Sequence, residues 1–328
     1  MNRRDTLLSL LALFTAPIAA DAQQPVKLWR IVVLTSSKPD AKPESDAYGM
    51  AFVAEIATAG FTFGIDYTLE VRSLDDYDRL PQASALATQN ADIIIPVSPL
   101  AAGFAHKATK TIPIVCIAVH DPVGMGYAVS LARPGGNLTG LVTFYAELIP
   151  KQLELVKSLL PKASRVAMLE NSRVVGAVPA FDLKIRAAAQ TLGIRLQTVP
   201  IDSPEQLPDA FAAMKRERAD ALIAVADEMF YLERRQIAEL ALKQRLPALF
   251  ATRENVEAGG LMSYGEDALE KFAQAAKYVG KIMKGAKPGD LPIEQPTKFQ
   301  LTINRKTAKA LKLIIPQDLL LRADRLIE

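Results

Sequence analysis

Short, uninterrupted apolar runs alternate with longer stretches of helical period along most of the chain, and that alternation restricts the fold more than any other feature. The first runs are WRIVVLTSS (29–37), YTLEVRSL (67–74), ADIIIPVS (91–98), IPIVCIAV (112–119) and NLTGLVTF (137–144). A second series follows: SRVAMLEN (164–171), IRLQTVPI (194–201), ADALIAVAD (219–227), LPALFA (246–251) and GGLMSYG (259–265). Amphipathic segments at 147–161, 181–193 and 267–285 lie between them. The last of these places Leu269, Phe272, Ala273, Ala276, Val279 and Ile282 along one helical face. Runs this rich in β-branched residues, separated by helices, predict parallel strands covered on both faces.

There are too many runs for one modest sheet, and the pattern restarts. SRVAMLEN, a helix and IRLQTVPI repeat the order of WRIVVLTSS, a helix and YTLEVRSL. The expected fold is therefore α/β, with two doubly wound, Rossmann-like lobes of parallel sheet that divide near Val142–Tyr145. At 328 residues the chain has material for both. Just before the division runs HDPVGMGYAVSLARPGGNLTG (120–140), in which Pro134-Gly135-Gly136-Asn137 offers positive-φ positions ahead of the crossing strand. From Ala286 onward, prolines at 288, 292 and 296 predict an extended strap across both lobes, then a strand, KFQLTIN, and a final amphipathic helix.

Residues 1–22 follow different rules. MNRR is a positive n-region, TLLSLLALFTAPIAA an apolar stretch too short for a comfortable membrane span, and Ala20-Asp21-Ala22 a small-x-small cleavage site. This predicts a secretory signal, by the general or the twin-arginine route. The single cysteine, Cys116, sits inside an apolar run, so no internal disulfide can form and no cysteine at the cleavage site can carry a lipid. A mature, unlipidated periplasmic protein is expected, with Cys116 as a small core residue. Lysine and arginine number 39 against 36 acids, with no basic block interleaved with aromatics, which excludes nucleic acid as a partner.

In doubly wound sheets, ligands collect beyond the carboxyl ends of the strands. The loops to inspect are then Thr35-Ser36-Ser37, Val97-Ser98-Pro99-Leu100, His120-Asp121-Pro122, Glu170-Asn171-Ser172 and Ala226-Asp227-Glu228. Ser98 before Pro99 fits an N-cap with proline at the first helical position, and the small residues after it, Ala101 included, leave free N–H groups. That end either meets an anionic ligand group or is a plain cap. Asp121 and Asp227 each have two readings, acceptor for a ligand amine or fixer of a turn. Asn171, Arg173 and Tyr264 are further candidates. Catalytic and metal signatures are missing: there is no GxSxG, HExxH or GxxxxGK[ST], and the two histidines, His106 and His120, have no ligand partners at metal spacing. Neither a catalytic residue, a metal nor a cofactor is expected.

The stretches ATKTIPIVCIAVHDPVGMGYAVSLARPGGNLTG, RLPALFATRENVEAGGLMSYG and KPGDLPIEQPTKFQLTINRKTAKALKL closely resemble bacterial ABC-transporter substrate-binding proteins of the tryptophan/tyrosine type. The resemblance spans essentially the whole chain after the signal. It implies a type I periplasmic binding protein fold, with two lobes joined by a three-segment hinge near Val142–Tyr145, Ser263–Asp267 and Gly285–Leu291. On this scheme residues 26–143 plus 266–286 form the N-terminal lobe, and 144–264 plus 291–328 the C-terminal lobe. The family's cleft loops fall on Ser98, Pro99, Ala101, Asp121, Pro122, Asp227 and the segment around Tyr264. Ser36 and Asn171 complete the candidate ligand-binding set. The implied role is capture of a small molecule, with an amino acid, and an aromatic one, the leading choice. Delivery would be to an ABC permease in the inner membrane, by a monomer. TFGID, RSLDDYDRLP and LENSRVVGAVP depart from the family's usual turns, which bears on the ligand and not on the fold. A ligand sensor for a receptor, or an enzyme on the same scaffold, are the alternative roles.

Overall fold

The computed structural model describes residues 27–36, 47–74, 88–143, 145–173 and 179–328. The expected signal, 1–22, lies outside the described residues, as do Ser37, most of RSLDDYDRLP and the centre of LENSRVVGAVP. In chain order the first lobe contributes β1 (Trp29–Thr35), α1 (Ala47–Thr58), β2 (Tyr67–Ser73), β3 (Ile93–Pro96), α2 (Pro99–Ala108), β4 (Ile114–Val119) and β5 (Leu138–Val142). The second lobe follows with α3 (Tyr145–Leu159), β6 (Arg165–Asn171), α4 (Pro179–Thr191), β7 (Arg195–Ile201), α5 (Leu207–Arg216) and β8 (Ala221–Ala224). It continues through α6 (Glu228–Leu232), α7 (Arg234–Lys243), β9 (Ala248–Phe250), α8 (Arg253–Glu257) and β10 (Met262–Gly265). Last come α9 (Ala268–Met283), β11 (Gln300–Asn304), α10 (Arg305–Ala310), α11 (Gln317–Arg322) and β12 (Arg325–Ile327).

The strands form a five-stranded sheet, β2-β1-β3-β4-β5, and a seven-stranded sheet, β12-β11-β10-β9-β8-β6-β7. Every pairing is parallel except β10 with β11. The two-lobed α/β architecture read from the alternation is thus present. Its physical basis is plain in β3, whose isoleucines are all buried. Ile93 and Ile95 pack with Phe52 and Ile56 of α1 and with Ala276, Val279 and Ile282 of α9. Ile94 turns to the other face, beside Ala101, Ala102 and Ala105 of α2. Cys116 lies in that second layer, fully buried, and burial pushes its thiol pKa well up. A continuous core fills the second lobe, with β6 and β8 contributing Val166, Met168, Leu222 and Ile223.

The chain passes from the first sheet to the second between β5 and α3, and returns between β10 and α9, whose apolar face packs on the first sheet. The third passage differs from the expected 285–291. Residues 288–294 stay with the first sheet: the Ile293 N–H donates to the Leu131 carbonyl (2.7 Å), the Glu294 N–H to Gly140 (2.9 Å), and the Val142 N–H to Glu294 (3.0 Å). The Tyr278 hydroxyl adds a 2.6 Å bond to the Pro292 carbonyl. The chain therefore crosses over 295–299, because the Pro-rich strap finds main-chain partners along β5 before it leaves. The tail departs from expectation too. Instead of one final helix there are α10 and α11, with β12 pairing at the edge of β11.

The opening at β5 depends on one glycine. Gly140 has φ +116°, and a Cβ there would stand 2.2 Å from the Cys116 carbonyl oxygen. Only glycine lets β5 lie this close to β4 at that dihedral.

Candidate ligand cavity

The carboxyl ends of both sheets face one another across a cavity of about 390 Å³, a size suited to a small organic solute. Its apolar lining comes chiefly from the first lobe: Val33, Leu69, Val71 and Ile95 on strands, Val97 just after β3, and Phe52 on α1. Leu148 and Leu232 line it from the second lobe. Three further rings stand around it. Tyr48 stacks on Phe272 (centroids 5.0 Å apart) and meets Tyr231 of the second lobe at 5.6 Å. The Arg234 guanidinium lies 4.5 Å over the Tyr231 ring, held by a 2.8 Å bond to that residue's carbonyl. Burial, and then the Glu254 charge, push the Tyr48 hydroxyl pKa upward, so it stays a neutral phenol.

Polar groups line the cavity at two places. At the crossings, Glu266 and Lys271 form an ion pair, and the Thr143 hydroxyl donates to Glu266 Oε1 (3.2 Å). This bond joins the first and second passages of the chain. His120 also lines the cavity here, and burial, reinforced by the Lys271 charge, lowers its pKa to about 4. At the strand ends, Asp227 caps α6 by accepting the Met229 N–H (2.9 Å), and Asn171 Nδ2 donates to both of its carboxylate oxygens (3.2 Å each). The Asp227 side chain borders the cavity and is half-buried in the protein. That burial raises its pKa against the opposing pull of these hydrogen bonds.

Of the residues marked from sequence, Ser98, Pro99 and Asp227 line the cavity. Ser98 caps α2 as expected, accepting the Ala101 N–H at 3.2 Å. Ser36 stands beside it: their hydroxyls are hydrogen-bonded, and the Ser36 N–H donates to Glu228 Oε2 of the second lobe (2.6 Å). Asn171 is behind Asp227, as its orienting partner, and Arg173 follows as a turn whose N–H donates to Asn171 Oδ1 (3.0 Å). Ser36, Asn171 and Arg173 are not among the lining residues, and neither are Ala101, Asp121, Pro122 and Tyr264. Ala101 is fully buried against the first sheet. Asp121, exposed and at φ 30°, accepts the Gly124 N–H (2.9 Å), which is the turn-fixing alternative. Tyr264 stacks on Phe299 (5.9 Å), and its carbonyl accepts from Gln152 Nε2 (2.8 Å).

Inspection of strand ends missed Tyr48, Phe52, Tyr231, Phe272, Glu266 and Lys271. These sit on helices α1, α6 and α9 or at a crossing, and an aromatic residue on an amphipathic helix reads as core. Among the described residues, no group of three or more His, Cys, Asp or Glu is placed to hold a metal ion. No described helix is long and apolar enough to cross a membrane.

Two parallel-sheet lobes with a lined cavity between their strand ends define a type I periplasmic binding protein fold. Residues 65–327 match the sequence model of the ABC transporter substrate binding protein family, and the chain belongs to that family. It is 26% identical over 271 residues to a tyrosine-binding protein of Clostridioides difficile, covering 82% of this chain and 77% of that protein. A conserved domain protein from Vibrio cholerae superposes with a TM-score of 0.80 at 26% identity, over 92% of this chain and all of the other. The complex of a Streptococcus pneumoniae ABC domain with L-Trp gives 0.77 at 22% identity, over 92% and 100%, a likeness of fold. The family consists of binding proteins rather than catalysts; they are typically extracytoplasmic and deliver small molecules to an ABC permease.

Proposed function

We propose that this chain is the periplasmic solute-binding component of an ABC importer, and that it captures an amino acid, an aromatic one by preference, as its two lobes close about the crossings. The signal at 1–22 exports it, and the mature monomer works without a cofactor and without chemistry of its own. The observation that carries this reading is a cavity walled by both lobes, with rings from each and charged groups at two places. Such a cavity exists only while the lobes are together, so a ligand filling it shifts an open–closed equilibrium by its differential affinity. Stacked rings and apolar strand residues suit an aromatic side chain. The Asp227 oxygens offer acceptors to an ammonium, and Lys271, of the Lys271–Glu266 pair, a donor to a carboxylate. The C. difficile relative, described as tyrosine-binding, supports the same ligand class.

Calorimetry and thermal melts of the mature chain, starting at Gln23, against the twenty amino acids and a panel of sugars and organic acids test the proposal. A bound aromatic amino acid at 100 times its dissociation constant adds about 2.7 kcal/mol of stability. Binding confined to another solute class overturns the ligand assignment. No binding by any class overturns solute capture.

A further inference from the structure

We propose that Glu228 is a built-in closing contact, a positioning residue that holds the lobes together by accepting the Ser36 N–H across the cleft with no ligand atom involved. The inference rests on reading the two sheets as hinged lobes. Ser36 follows β1 in the first lobe, and Glu228 opens α6 in the second, yet Ser36 N and Glu228 Oε2 are 2.6 Å apart. The corner that receives the carboxylate is built for an anion. The Ser36 hydroxyl is bonded to that of Ser98, and Ser98 caps the ten-residue helix α2, whose amino end carries partial positive charge. On the other side, Asp227 caps α6 through the Met229 N–H, which fixes where the next residue, Glu228, emerges.

A carboxylate on a main-chain donor is a charge-assisted bond, among the stronger hydrogen bonds a protein makes. It forms only when the lobes meet, so it biases the ligand-free protein toward the closed state. It also occupies the N–H that a ligand carboxylate would otherwise meet at this corner, leaving the Lys271 end of the cavity for that group.

The test is the distribution of distances between spin labels at Lys107→Cys on α2 and Lys243→Cys on α7. Both positions are exposed, and the native Cys116 is fully buried and escapes labelling. Ligand-free wild type is expected to show a closed population. Glu228→Ala should lower its closed-to-open ratio roughly tenfold, and Glu228→Gln, which keeps a neutral acceptor and covers the case in which the alanine variant fails to fold, should lower it less. Identical ligand-free distributions in all three proteins overturn the proposal. If L-tyrosine or L-tryptophan still closes each of them, the hinged reading survives that failure. A single distribution that no variant and no amino acid moves overturns both.

Discussion

Asp227 and His120 line the same cavity, and burial shifts each of them toward its uncharged form. The consequences for stability have opposite signs. The raised pKa of Asp227 means that the native state holds its proton more tightly than the unfolded chain. Its contribution is complete below the ordinary carboxylate value and is lost as pH rises through the native one. Asp227→Asn, which keeps an acceptor for the Met229 N–H, should therefore raise the melting temperature of the ligand-free protein at pH 7. The same variant should weaken amino-acid binding in calorimetry, whereas Asp121→Ala, away from the cavity, should leave affinity unchanged. His120 is a base with a native pKa lowered from 6.5 to about 4. Its contribution is complete above pH 6.5 and is lost as pH falls toward 4, about 3 kcal/mol in all. Denaturant unfolding of His120→Gln between pH 7 and 4 should lack that part of the decline. Parallel curves for the two proteins would show that His120 does not govern it.

At the scale of elements, β4 and β5 end the first sheet with a shifted register between Cys116 and Val119, and Gly140 allows the close approach. Gly140→Ala should destabilise by about 3 kcal/mol, from positive φ and overlap with a neighbouring backbone together. A loss in denaturant unfolding below about 0.5 kcal/mol, the range of an unconstrained surface site, would show that the strand has room. The strands themselves were legible: IIIP and ALIA are buried on both faces, and continuous apolar runs state that directly. The third crossing was not, because prolines at 288 and 292 mark extended chain without saying which sheet it follows. Main-chain bonds to Leu131 and Gly140 decide that. β12 escaped for a related reason: RLI is short and partly exposed, and only pairing with β11 makes it a strand. Caps could be read at Ser98 because their chemistry is local. The rings of Tyr48, Tyr231 and Phe272 could not, since only the meeting of two lobes distinguishes their cavity-facing sides from core.

For the whole molecule, two sandwiched sheets, each with its own core, are joined by three passages of chain. Among the described residues, contacts between the lobes include Glu228 with Ser36, Tyr231 with Tyr48, and Thr143 with Glu266 at the crossings. Closure about a solute is the account's central claim, and small-angle X-ray scattering of the mature chain, titrated with the amino acid that calorimetry shows to bind, tests it most directly. The radius of gyration should fall in step with calorimetric saturation in wild type, and fall further, from a larger starting value, in Glu228→Ala. A radius unchanged in both proteins while heat is exchanged to saturation would contradict it.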